Sequence, residues 1–166
     1  MKFRLARKED LPELKIMYKD IVNNMYENGI NIWNDYYPYE EFSNDIDNNN
    51  LYVLVDNNEI VCAFALFCSD NDYGIDWSDK SSKVLYFGRI GVNIKYLRKG
   101  IGSIALNKAM DIARDRGYEY LRLMVVDCNR GAIEFYLKNG FNKVDGYYIE
   151  DIGDSKLTEY GFEIQL

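Results

Sequence analysis

Val84-Leu85-Tyr86-Phe87-Gly88-Arg89-Ile90-Gly91-Val92 runs straight into Asn93-Ile94-Lys95-Tyr96-Leu97-Arg98-Lys99-Gly100-Ile101-Gly102. The first part is apolar and short enough for a strand, and its two interior glycines point to a bulge or a close ligand approach. The second part is a basic, glycine-bearing turn. After it, Ile101, Ile104, Ala105, Ala109, Ile112 and Ala113 recur at helical spacing until Gly117. A helix start leaves main-chain N–H groups unpaired and carries partial positive charge. Glycines let that backbone come close to a ligand, so the turn suits a phosphate or pyrophosphate. Arg98 and Lys99 add charge there, although they and Lys95 also read as ordinary solvated loop residues.

Working outward, Lys2 to Ala6 alternates like a half-buried strand. Leu11, Leu14, Met17/Tyr18, Ile21 and Met25 then mark a helix with Pro12 in its first turn and Gly29 as its stop. Asn31 to Asn50 is aromatic and polar, a loop with a short helix. Leu51–Val55 and Ile60–Phe67 flank Asp56-Asn57-Asn58-Glu59, which is a hairpin signal. Ser69 to Ser82 reads as a loop. Beyond the central helix come a strand at Leu121–Val126, a helix around Ala132–Tyr136 ending at Gly140, and strand candidates at Phe141–Ile149 and Leu157–Leu166. This order predicts one α/β domain over residues 1–166, with a mixed sheet flanked by helices.

Composition removes whole classes of chemistry. The chain has 166 residues and no histidine, so Ser-His-Asp and Cys-His catalysis and His-ligated metals are excluded. Cys62, Cys68 and Cys128 are an odd number without C-x-x-C spacing, against a disulfide framework and a zinc site. Cys62 and Cys68 sit in an apolar run and are expected to be small buried hydrophobes. With 27 acidic against 20 basic side chains the net charge is −7, which disfavours nucleic acid and favours a cationic partner or simple solubility. No apolar run reaches membrane-span length and Met1-Lys2-Phe3-Arg4-Leu5 has no signal-peptide character, so a cytoplasmic location is expected.

Two phosphate motifs fail. G-x-x-x-x-G-K-[ST] is absent. A dinucleotide fingerprint can be forced onto Gly100 to Ala105 with Asp127 as its acid, but about eight polar residues separate strand from glycines.

Asn129-Arg130-Gly131-Ala132-Ile133-Glu134-Phe135-Tyr136-Leu137-Lys138-Asn139-Gly140-Phe141, following that turn, resembles the GNAT superfamily of acetyltransferases. The resemblance is close from Arg89 to Phe141, and Asn28-Gly29-Ile30-Asn31-Ile32-Trp33 is similar to a subgroup of small GNAT proteins. It implies a mostly antiparallel, splayed sheet of about seven strands, and acetyl-CoA as cosubstrate with no metal. It also implies direct transfer of the acetyl group to a primary amine of a small molecule or peptide. A homodimer fits such a fold. The family's leading Arg/Gln falls on Leu97, so pyrophosphate binding would rest on main-chain N–H groups of Leu97, Arg98, Lys99, Gly100, Ile101, Gly102 and Ser103, or on Arg98 standing in.

The same resemblance gives Ile90 and Val92 main-chain contacts to the pantetheine arm, with Gly91 leaving room, and gives Asn129 a hydrogen bond to it. A helix N-cap is the other reading of Asn129. Tyr136 would protonate the departing thiolate, or else be a core aromatic. No carboxylate lies on Val84–Val92, so the base that takes the amine's proton is sought among Glu27, Asp76, Asp79, Asp127 and Asp151, or a water; Asp127, at a strand end, is placed best. Trp33, Tyr36 and Tyr37 either wall the acceptor site or pack helices. Tyr86 and Phe87 face opposite sides of their strand, so one of them can reach the acceptor. The competing function is an acyl-CoA-binding regulatory module without efficient transfer.

Overall fold

A computed structural model describes residues 1–80, 82–153 and 155–166. Among these, the strands are β1 (Lys2–Leu5), β2 (Leu51–Asp56), β3 (Glu59–Phe67), β4 (Val84–Val92), β5 (Tyr120–Val126), β6 (Asn142–Lys143), β7 (Tyr148–Asp151) and β8 (Lys156–Gln165). The helices are α1 (Leu11–Glu27), α2 (Phe42–Asp47), α3 (Ile101–Asp115) and α4 (Arg130–Lys138). The strands form one mixed eight-stranded sheet in the order β1-β2-β3-β4-β5-β8-β6, with β7 also on β8. No helix among the described residues is long and apolar enough to cross a membrane.

The chain divides into two compact units, Met1–Leu66 with Gly88–Ala109, and Phe67–Phe87 with Met110–Leu166. In the first, α1 buries Leu14, Met17, Tyr18 and Ile21 at the spacing of one helical face. The β2–β3 hairpin closes through Asn57 and Asn58, both left-handed (φ 47° and 65°), as a two-residue turn that follows strand twist requires. Phe3, Tyr52 and Phe64 stack across β1–β3, with ring centroids 5.5 to 6.0 Å apart.

In the second unit β5 and β8 pair antiparallel along their length, from Tyr120↔Gln165 to Val126↔Glu159. One sheet face carries Tyr86, Met124 and Gly161, covered by Ile75, Trp77, Phe67, Tyr73 and Val144. The opposite face carries Phe87 and Phe162, against which α4 seats Tyr136. The parallel β4–β5 ladder covers only Val84–Tyr86 against Tyr120–Arg122, while each strand continues beyond it.

Three expectations change. The Phe141–Ile149 candidate is two short strands, because Gly146 between them is left-handed (φ 88°) and would place any Cβ 3.0 Å from the Gly74 carbonyl oxygen. Cys68 is exposed, with its Sγ 3.2 Å from the Tyr118 hydroxyl, whereas Cys62 is buried as expected. Ile104 is 41% exposed; Leu106 and Met110 take the core-facing places in α3.

Candidate functional site

The glycine turn is held from below by its own 3₁₀ segment, Ile94–Tyr96. Asn93 caps it, accepting from the Lys95 N–H at 3.1 Å. Lys95 Nζ pairs with Glu59 at 2.8 Å and the Tyr96 hydroxyl donates to the same carboxylate at 3.0 Å. Lys95, then Tyr96, hold the Glu59 carboxyl below its usual range. Lys95 is thus occupied within the fold. Lys99 lies over the Tyr96 ring at 5.0 Å, and Arg98 is exposed. Arg98 and Gly100 are both left-handed, φ 59° and 78°, and among the described residues no atom beyond the chain neighbours lies within 4 Å of a Cβ at Gly100. That backbone turns the chain into α3 and leaves open space beside the first N–H groups, which have no intrahelical acceptor. The donor set and the open glycine fit a diphosphate. Leu97, 44% exposed, offers no charge to it.

Ile90 and Val92 lie in the same unit, on the part of β4 beyond Arg89, which is left-handed within the strand (φ 52°). A β-branched or long side chain adopts that region only when its surroundings hold it. Here Arg89 makes two hydrogen bonds to the buried Asp45 carboxylate, at 2.8 and 2.7 Å. Its carbonyl accepts from the Tyr18 hydroxyl at 2.5 Å. Burial pushes Asp45 up, against the Arg89 guanidinium that pulls it down. Gly91 serves this packing: a Cβ there would sit 2.6 Å from Tyr18 Cζ and 2.9 Å from Ile21 Cδ1. The side-chain direction at Gly91 is filled by α1. Sequence reasoning passed over Asp45 because nothing local marks an acid that pairs with a distant strand.

Trp33 packs on Tyr18 with centroids 5.7 Å apart. Tyr36 is 73% exposed and lines a pocket of about 250 Å³ with Lys15, Lys19, Tyr18 and Asp35. Tyr37 lies beside Arg89 and adds to the charge that favours its guanidinium.

In the second unit Asn129 caps α4, its Oδ1 accepting from the Ala132 N–H at 3.2 Å. An Asn that caps through oxygen keeps its Nδ2 for another acceptor, so its two readings are compatible. Tyr136 is buried, edge-on to Phe87, Phe135 and Phe141. Tyr86 is buried on the other sheet face, edge-on to Tyr73 and Trp77. Burial raises its phenol, partly countered by Arg122. Asp127 is exposed at the end of β5, its N–H on the Thr158 carbonyl at 2.8 Å. Glu27, Asp76 and Asp151 are also exposed, and Asp79 accepts from Ser82 Oγ at 2.7 Å.

Residues 16–141 match the sequence profile of the Acetyltransferase (GNAT) family. The chain belongs to that family. A thialysine N-epsilon-acetyltransferase from Bos taurus is 34% identical over 64 residues, 39% of this chain. The match takes in 38% of that relative's length. A GNAT-family acetyltransferase structure from Streptococcus agalactiae superposes with a TM-score of 0.80 at 16% identity, covering 99% of this chain and 95% of the other. A ribosomal-protein-alanine N-acetyltransferase structure from Brucella melitensis gives 0.70 at 19% identity, with both chains covered fully (100%). These two likenesses are of fold. Of the residues that the sequence singles out in this GNAT chain, the turn with Ile90 and Val92 belongs to the first unit, and Asn129, Tyr136, Asp127 and Tyr86 to the second.

Proposed function

We propose that the protein transfers an acetyl group from acetyl-CoA to a primary amine by direct attack, without an acyl-enzyme. The observation that carries this is the Arg98–Ser103 turn, where an exposed arginine, an open left-handed glycine and a helix start coincide. Acetyl-CoA supplies an activated thioester carbonyl. The N–H groups of Leu97 to Ser103 bind its diphosphate, while Ile90 and Val92 main-chain groups and Asn129 Nδ2 orient the pantetheine arm. Orientation of this kind reduces the entropic barrier to attack. Tyr136 gives a proton to the sulfur, and an acid at the β5–β8 strand end, for which Asp127 is the first choice from sequence, takes one from the amine.

We assign Trp33, Tyr36 and Tyr37 to a non-reacting part of the acceptor; of the three, Tyr36 lines the pocket that Lys15, Lys19 and Asp35 share, where two ammonium groups outweigh one carboxylate. We assign Tyr86 to the side of the reacting end. The lysine-like acceptor named for the bovine relative and the alanine amine named for the Brucella protein make thialysine, lysine and an alanine-initiated peptide the first acceptors to try. Leu97 motivates the other reading, acyl-CoA binding without transfer.

The test is calorimetric titration with acetyl-CoA and with NAD, followed by turnover on those three amines. Acetyl-CoA should bind and NAD should not. Tyr136→Phe should lower kcat about 100-fold with nearly unchanged acetyl-CoA affinity. Tight acetyl-CoA binding with no transfer to any amine would favour the binding module, and binding of NAD alone would sink both readings.

A further inference from the structure

Glu159 was not among the acids that the sequence singled out, yet it occupies a position that none of them shares. It lies on β8 directly across from Val126, the last residue of β5, and from Tyr148 of β7. Strand alternation puts it on the sheet face of Met124 and Tyr86. Tyr136 packs against Phe162, which points to the opposite face of the same strand. Tyr73 joins the aromatic groups of the Glu159 face, 6.1 Å from the Tyr86 centroid and 5.3 Å from that of Tyr148. Among the described residues no hydrogen bond or ion pair reaches the Glu159 carboxylate, although the side chain is half-buried. No fully enclosed side-chain oxygen lacks a partner among these residues, so the unpartnered Glu159 oxygens remain open to solvent or a ligand.

We infer that Glu159 is the general base, taking the proton that the amine loses as it attacks the thioester. The inference rests on the acetyl-transfer reading above. The amine approaches as the free base; its N–C bond forms and the C–S bond breaks. One amine proton passes to Glu159, and Tyr136 donates one to the thiolate from the other face. Glu159 then releases its proton to water and Tyr136 regains one, which restores both groups. The partly exposed Tyr73 and Tyr148 offer ring faces and edges on the Glu159 side, which suits an amine carried on an apolar or cationic body.

The surroundings also set the strength of the base. Burial, then the like charge of Glu150 on β7, pushes the Glu159 carboxyl up to about 7, near the optimum for a base working at neutral pH. Glu150 faces it from β7 alongside Tyr148, β5 presents the uncharged Met124 and Val126, and Tyr73 and Tyr86 are the further titratable groups on this side. The Arg122–Glu163 pair lies farther along the same face, with the two side chains satisfying each other at 3.0 Å. Asp127 is exposed beyond the strand end and lacks this enclosure.

The experiment measures kcat/KM against pH with the fastest of thialysine, lysine and the alanine-initiated peptide, and acetyl-CoA affinity by calorimetry. Glu159→Gln should lower kcat about 100-fold, leave acetyl-CoA affinity within about twofold, and remove the acid limb of the profile. Glu150→Gln should move that limb to lower pH, which a merely structural role for Glu159 would not produce. Glu159→Asp, which keeps the charge but shortens the reach, should retain the limb at reduced rate. Wild-type turnover in Glu159→Gln, or loss of the limb in Asp127→Asn instead, would overturn the assignment and leave acetyl transfer standing. Failure of the unaltered protein to bind acetyl-CoA would overturn the acetyl-transfer reading itself. Binding without transfer to any of the three amines would overturn Glu159 as a base.

Discussion

A carboxyl group that is easier to protonate in the folded chain than in the unfolded one must make stability depend on pH. Glu159 moves from 4.5 to about 7 on folding. Between those values the folded state holds more protons, so unfolding free energy falls as pH rises, and it levels off above about 7. The cost at pH 8 is on the order of 2–3 kcal/mol, since one pKa unit is about 1.4 kcal/mol and residual solvent contact screens part of it. Glu159→Gln should therefore be more stable than the parent at pH 8 and similar at pH 4.5. Urea denaturation at the two pH values checks this; an equal difference at both would mean that the charge of Glu159 costs nothing in the fold. A residue that lowers stability where the protein works, with no partner among the described residues, is what a functional carboxylate looks like in energetic terms.

At the scale of elements, β4 is shaped by α1 and α2. The left-handed Arg89 is costly alone, and the Asp45 carboxylate and Tyr18 hydroxyl hold it in place. Gly91 completes the arrangement by letting α1 approach until Tyr18 occupies the volume of the missing side chain. Gly91→Ala should cost about 1–3 kcal/mol, through overpacking against a phenol ring that has no free end to move. Thermal unfolding monitored by circular dichroism would detect it, and an unchanged midpoint would show that α1 can shift without penalty. Ile90 and Val92 flank this glycine, so a variant that moves it should also weaken acetyl-CoA binding if their main-chain groups hold the pantetheine arm.

For the molecule as a whole, ligand binding and stability are one equilibrium. Acetyl-CoA at about 100 times its Kd should add about 2.7 kcal/mol to the free energy of unfolding. For a chain of this length that corresponds to roughly 5–10 °C in Tm. Arg98→Glu should halve that shift or more by opposing the diphosphate, whereas Lys95→Gln should leave most of it, because Lys95 is engaged with Glu59. Differential scanning calorimetry with and without ligand distinguishes the two. Equal loss in both variants would mean that the turn acts through general positive charge alone.

Much of this molecule was legible in the order of its residues. The strand, basic turn and helix from Val84 to Asp115 follow from local chemistry: an apolar run, a glycine at the left-handed position 100, then helical periodicity. The hairpin at Asn57–Asn58 and the cap at Asn129 are equally local, since a turn or cap is satisfied by neighbours a few residues away. The absence of histidine narrowed the chemistry before any coordinate was known. What tertiary structure alone decided is burial and pairing between distant segments. Glu159 is an ordinary strand acid until Val126, Tyr148 and Glu150 are brought beside it, and Gly91 serves α1 packing because Tyr18 arrives from α1. Desolvation and charge depend on distance in space, which a string of residues does not contain.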